Sequence, residues 1–174
     1  MLDRREFIRG LAAGAILTAA GPRRIWAAQE PSLPDATRSA LESSPYVYVS
    51  PLRSDGQESR CHAEVWYAWI DGAVVMTVST DGWKSQAVAR GLDRARIWVG
   101  DHGRLKGLNS RSTAFRKAPH FDARAERTWD PALLDELLKR YDTKYPEEIG
   151  RWRDRMRQGN SDRTRVMIRY SPVS

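Results

Sequence analysis

Residues 59–80 constrain the fold more than any other stretch: two β-prone runs, SRCHAEVWYAWI and AVVMTVST, stand on either side of Asp71-Gly72. An Asp-Gly pair between such runs is a strong hairpin signal. The tight turn whose twist matches that of its strands needs positive φ at both central positions, and these two residues tolerate it. Val65, Trp66, Tyr67, Trp69 and Ile70 enrich the first arm in aromatic and β-branched side chains, which suit a pleated, half-buried surface. The chain therefore predicts one strand over 59–70 and its antiparallel partner over 73–80.

The flanks extend this pattern. Tyr46 to Ser50 reads as an earlier strand, followed by the turn RSDGQE, and 36–44 as a short helix before Pro45. Residues 81–91 change period and predict a short helix, capped by Asp81 or Thr80 and ended by Gly91. ARIWV at 95–99 is a fourth strand. Residues 100–110, with three glycines, read as a loop or loose hairpin, and 112–128 as two more strands. Asp130-Pro131 is a cap with a first-turn proline, and Leu133, Leu134, Leu137, Leu138 and Tyr141 fall on one helical stripe. A second helix is expected from Pro146, with Ile149, Trp152 and Met156 as its apolar face; after a turn at 158–162, residues 164–170 alternate as a closing strand. The order implies an α+β domain, a small antiparallel barrel wrapped by helices.

The opening segment has a different character. Arg4 and Arg5 are adjacent, Phe7, Ile8 and Arg9 follow, and residues 11–20 are apolar and uncharged. A basic n-region before an apolar run is the pattern of a secretory signal, and the paired arginines place it in the twin-arginine class. Cleavage is expected after Ala27, with Ala28 as the alternative. The expected division is a signal over 1–27, a linker over 28–44 and the domain over 45–174. About ten apolar residues span roughly 15 Å as a helix, half of a bilayer core, so no permanent membrane span is expected once the signal is cut. The partner implied is the twin-arginine translocation machinery, and the destination is the periplasm or the exterior. That route carries folded proteins, which suits a chain that takes up a cofactor before leaving the cytoplasm.

Charge then excludes one class of function. The chain has 29 basic and 22 acidic side chains, but Arg4, Arg5, Arg9, Arg23 and Arg24 belong to the signal against Asp3 and Glu6; the remainder carries 24 and 20. So mild a surplus gives no electrostatic case for nucleic acid. Cys61 is the sole cysteine, so no internal disulfide can form. His62, His102 and His120 follow no metal-binding spacing, and no metal site is expected.

Residues 46–100, read as YVYVSPLRSDG, SRCHAEVWYAWIDGAVVMTVSTDGWKSQAVARG and ARIWVG, resemble the FMN-binding split-barrel family, which includes pyridoxamine 5'-phosphate oxidase and its flavin and deazaflavin relatives. In that family a strand carrying basic and aromatic residues precedes one ending in Thr or Ser, and a short lysine-bearing helix follows. The resemblance implies a small antiparallel split β-barrel with a short helix after the third strand and two C-terminal helices. It also implies a homodimer with FMN, or a deazaflavin coenzyme, between subunits, and an oxidoreductase activity. Gly82 and Trp83 stand where the oxidase has a serine and a basic residue, and its C-terminal substrate-binding pattern is not recognisable. Flavin binding is thus implied rather than vitamin B6 oxidation.

The same resemblance implies a set of cofactor-binding residues. Thr77, Ser79, Thr80 and Lys84 would meet the phosphate where the third strand hands over to its helix, a place that also offers free N–H groups. Arg60 would reach the same phosphate; it could equally pair with Glu64. The ring would lie along Val65, Trp66 and Tyr67, with Trp83 covering it. Trp66, Tyr67 and Trp69 could instead be core or interface. The alternative function is a non-catalytic split-barrel protein that binds haem, another small ligand or a protein partner.

Overall fold

A computed structural model describes residues 33–102 and 113–173. The expected signal and its cleavage site lie outside these residues, as does most of the glycine-rich stretch at 100–110. Helix α1 (Asp35–Ser43) leads into β1 (Val47–Pro51), β2 (Ala63–Val65), β3 (Ala68–Ile70) and β4 (Ala73–Ser79). Then come α2 (Trp83–Ala89), β5 (Arg94–Val99), a 3₁₀ turn (Ala114–Lys117) and β6 (His120–Thr128). Helix α3 (Pro131–Lys144), a second 3₁₀ turn (Ile149–Arg151), α4 (Arg153–Ser161) and β7 (Arg165–Pro172) complete the order. All pairings are antiparallel, in one sheet of order β2-β1-β5-β6-β7-β4-β3. Its two end strands, β2 and β3, are separated by only Trp66 and Tyr67, so the sheet must curl until its ends meet at that dipeptide. The result is an α+β split barrel.

The hairpin forms as expected. Ile70 pairs with Ala73 across Asp71-Gly72, whose φ values of 46° and 71° give the two positive-φ positions of a type I′ turn. The arm before it differs from expectation. It is not one strand over 59–70 but two short ones, because the backbone at Trp66 and Tyr67 leaves both ladders. Buried polar backbone groups need partners, and two tyrosines supply them. Tyr145 accepts from the Tyr67 N–H at 3.0 Å and donates to the Pro45 carbonyl at 2.6 Å, and Tyr141 donates to the Trp66 carbonyl at 3.0 Å. The Tyr67 hydroxyl donates in turn to the Leu41 carbonyl at 2.8 Å, tying α1 to the same seam.

Two apolar cores flank the curled sheet. Inside the barrel lie Val47, Val49, Val74, Met76, Ile97 and Ile168, with Leu41 of α1 packed on them. Outside it, Leu134, Leu137, Leu138 and Tyr141 of α3 and Met156 of α4 cover Val75 and Met167. The α3 stripe is thus as predicted, and its Asp130 cap accepts from the Ala132 N–H at 2.9 Å. Two other expectations change. Of the stretch 112–128, the described residues 113–128 supply one strand, β6, because Phe115 leaves the ladder to stack on Tyr48 at 4.6 Å. The helix expected from Pro146 begins at Arg153 and continues to Ser161, through most of the stretch expected as a turn at 158–162. Tyr145 is pinned to the seam, and the chain needs a tight turn to bury Ile149 first.

Lys144 sits beside this seam, its Nζ 3.3 Å from the centroid of the Tyr67 ring. Burial lowers its pKa to about 7, while the ring face favours the charged form. In the unfolded chain the amine titrates near 10.4. The folded state therefore loses stability as pH falls from about 10 to 7, and the cost is complete below 7. Lys144→Met is expected to add roughly 1–2 kcal/mol at pH 6.5, discounted for residual solvent and for the ring contact. Thermal unfolding should show that gain shrinking toward pH 10; no gain at pH 6.5 would refute it.

Candidate binding site

The helical layer leaves a cavity of about 250 Å³ beside the seam, lined by Val65, Trp66, Thr77, Tyr141, Trp152, Met156 and Arg165. Each element contributes for a local reason. Val65 and Trp66 come from the point where β2 leaves the sheet. Trp66 is fixed by stacking on Tyr145 at 4.4 Å and by its edge contact with Tyr141. Thr77 and Arg165 come from the paired strands β4 and β7. Ser79 is directly opposite Arg165, so Thr77, Ser79 and Arg165 share one face. Met156 and Trp152 close the far side from α4 and the residue before it.

Arg165 is the chemically distinctive member. Its guanidinium donates to the Thr77 carbonyl at 3.1 Å and lies 3.4 Å from the Thr77 hydroxyl. It makes no ion pair among the described residues. Burial, and then the positive charge of Arg155, hold its pKa below the ordinary guanidinium value. The stem of this side chain crosses α4 at Gly159, where an added Cβ would stand 2.4 Å from Arg165 Cγ and 2.7 Å from Cδ. Only a residue without a side chain lets the arginine lie there. A partly desolvated cation without a carboxylate is costly to keep, and it is aimed into a cavity whose other walls are aromatic and aliphatic. The arrangement suits a ligand with an apolar or planar body and an anionic end.

Of the residues expected from the sequence, Val65, Trp66 and Thr77 meet in this cavity, and Ser79 lies next to it on the same face. The others are elsewhere. Tyr67 is fully buried between α1 and the seam. The Thr80 hydroxyl donates to the Arg163 carbonyl at 2.6 Å, so it does not cap α2; Gly82 occupies the cap position without a side-chain bond. Lys84 lies 4.6 Å from the Trp83 ring centroid, and Trp83 is exposed. Arg60 is exposed and makes no pair with Glu64, whose carboxylate instead accepts from the Tyr48 hydroxyl. Trp69 packs edge-on against Phe121, next to the barrel core. The three histidines each pack on a different aromatic ring, Phe115, Tyr48 and Trp98. No group of three or more metal-ligating side chains occurs among the described residues. Arg165, Tyr141, Trp152 and Met156 were not expected in the site. No sequence signal marked Arg165, because Gly159, over which its side chain lies, falls in a stretch that reads as a turn.

Fold and cavity together define a split barrel with an aromatic, arginine-floored pocket outside its strands. No family model matches the sequence, and no curated relative does. Among solved structures the chain is similar to a hypothetical protein of Mycobacterium tuberculosis, 18% identical with a TM-score of 0.55 over 84% of each chain. It is also similar to the haem storage protein HutZ of Vibrio cholerae, at 11% identity and TM-score 0.51, over 82% of this chain and 91% of that one. A candidate pyridoxamine 5'-phosphate oxidase of Listeria innocua follows at 10% identity and TM-score 0.50, covering 80% of this chain and 93% of its own. At these identities what is shared is the fold.

Proposed function

We propose that this protein is an exported split-barrel oxidoreductase that holds a flavin-type cofactor, FMN or a deazaflavin, in the cavity beside the seam. The observation that carries this reading is the half-buried Arg165, without a carboxylate partner among the described residues, in a pocket whose other walls, Thr77 apart, are apolar and aromatic. Arg165 would hold the anionic end of the cofactor, fixed in direction by its bond to the Thr77 carbonyl. Trp66, held against Tyr145, would offer a rigid face to the ring, and Val65, Tyr141 and Met156 would exclude water. When bound, the ring supplies hydride or electron transfer, while the protein's share is binding, orientation and electrostatics.

Within this proposal the protein is a homodimer. The cavity, at about 250 Å³, is below the roughly 300–1,000 Å³ usual for a ligand pocket, so part of the cofactor would lie outside it, where the second subunit would cover it. Export by the twin-arginine route would follow cofactor uptake in the cytoplasm.

The test is an absorption spectrum of the full chain purified from the cytoplasm. Two flavin bands, or their appearance after FMN is added and excess removed, are expected. One intense haem band would replace the flavin reading by a haem-binding one. A colourless protein that fails to retain added FMN would remove the proposal.

A further inference from the structure

A second cavity, of about 290 Å³, shares no lining residue with the first. The turn after β1 lines it with Leu52 and Arg53, the joint between α2 and β5 with Leu92, Asp93 and Arg94, and β6 with Asp122. The Leu52 N–H donates to the Arg94 carbonyl at 2.9 Å, which ties the first two walls together. Ala95, Ile97, Phe121 and Ala123 fill the barrel, so Arg94 and Arg96 on β5, and Asp122 and Arg124 on β6, alternate to the outer face of the sheet.

The charges at this cavity are of both signs, and all but one are matched. Arg53 pairs with Asp55 at 3.0 Å, and Asp93 with Arg124 at 2.7 Å. Asp122 accepts two bonds from Arg96, at 2.7 and 3.1 Å, which fix its carboxylate. Arg94 makes no ion pair among the described residues. It stands directly opposite Arg124 in the ladder, an arrangement of like charges that is destabilising. The apolar part of the lining is also incompletely covered, since Leu92 is 51% exposed.

We infer that this cavity is a binding site for a free α-amino acid with an apolar side chain. The forked guanidinium of Arg94 would take the carboxylate. Asp93 and Asp122 would take the ammonium, because an arginine uses only part of the acceptor capacity of a carboxylate. The side chain would cover Leu92 and reach Leu52. Arg94 faces Arg124 and Arg96 faces Asp122, so Arg94 and Asp122 are diagonal neighbours, roughly 7–8 Å apart across the two strands. A ligand carrying both charges bridges that interval. A simple anion meets two carboxylates there and a simple cation meets Arg94, so neither is matched. The volume is below the roughly 300–1,000 Å³ of pockets for drug-sized ligands, which suits one amino acid rather than a nucleotide.

The test is calorimetric titration of the full chain with L-leucine, with 4-methylpentanoate, which lacks the amine, and with 3-methylbutylamine, which lacks the carboxylate. Leucine is expected to bind at least tenfold more tightly than either. Arg94→Gln should lower leucine affinity by about tenfold to a hundredfold, the value of a charge-assisted contact, without lowering the unfolding temperature. Arg94→Lys should recover only part, having charge without a fork. Leu92→Ala should reduce the preference for leucine over alanine. Arg157→Gln, which breaks an exposed pair with Asp135 on α3, should change nothing. The inference is overturned if millimolar leucine gives no binding heat, if either analogue binds as tightly as leucine, or if Arg94→Gln binds leucine like the parent. None of these outcomes depends on whether the first cavity takes a flavin.

Discussion

Tyr145→Phe is expected to lower the unfolding free energy by about 3–5 kcal/mol, although it removes a single oxygen. That oxygen accepts from the Tyr67 N–H and donates to the Pro45 carbonyl, and both groups are at the seam where the sheet ends meet. Phenylalanine would fill the same volume and leave the two backbone groups unmet, each at a cost of about 1–3 kcal/mol. For a domain whose total stability is on the order of 5–15 kcal/mol this is a large fraction. Tyr141→Phe gives the scale, since it deprives only the Trp66 carbonyl and should cost about 1–2 kcal/mol. Urea unfolding of both variants decides the matter. If Tyr145→Phe falls within 1 kcal/mol of the parent, water or another donor closes the seam and the role given to Tyr145 is wrong.

The second large effect concerns Gly159 and Arg165 together. Alanine in place of glycine inside a helix ordinarily stabilises by up to about 1 kcal/mol. Here Gly159→Ala should do the opposite. Its Cβ would collide with Arg165 Cγ at 2.4 Å, and overpacking of this kind costs about 1–3 kcal/mol. Either the helix shifts or the arginine leaves the cavity, so FMN affinity should fall with it. Arg165→Ala should leave stability within about 1 kcal/mol of the parent, because lost packing is offset by removal of a partly desolvated charge. It should still weaken FMN binding by tenfold to a hundredfold. The double variant should recover most of the stability lost by Gly159→Ala, a coupling measurable in a mutant cycle. Additive effects would mean that the two side chains do not meet as described.

Local chemistry made part of this legible in the sequence. The hairpin followed from Asp71-Gly72 and the long helix from Asp130-Pro131 and its leucine stripe, because each element is specified by residues next to it. The break at Trp66-Tyr67 was not legible. Nothing in VWYAWI interrupts the β pattern, and the groups that take over the hydrogen bonding lie 75 and 78 residues away in sequence. The site divides in the same way. Val65, Trp66 and Thr77, which the family resemblance implied as cofactor contacts, line the cavity beside the seam. Arg165 looked like one more outward arginine in the alternation of the last strand, indistinguishable from Arg169, which pairs with Glu126. What separates them is the helix gap at Gly159 and, among the described residues, the absence of an acid paired with Arg165, and both are tertiary facts. Lys84, implied by the resemblance as a lysine at a helix start, does not line this cavity; it stands on the seven-residue α2 beside Trp83.

The position of β7 has a consequence for biosynthesis. It is the last of the seven strands to be made, yet it lies between β6 and β4 rather than at a margin. While the ribosome still holds residues 165–172, β4 and β6 each lack a neighbour, and an early product would have two open edges able to recruit other chains. The sheet therefore cannot close before β7 has been made, and machinery that meets the chain earlier meets an unfinished sheet.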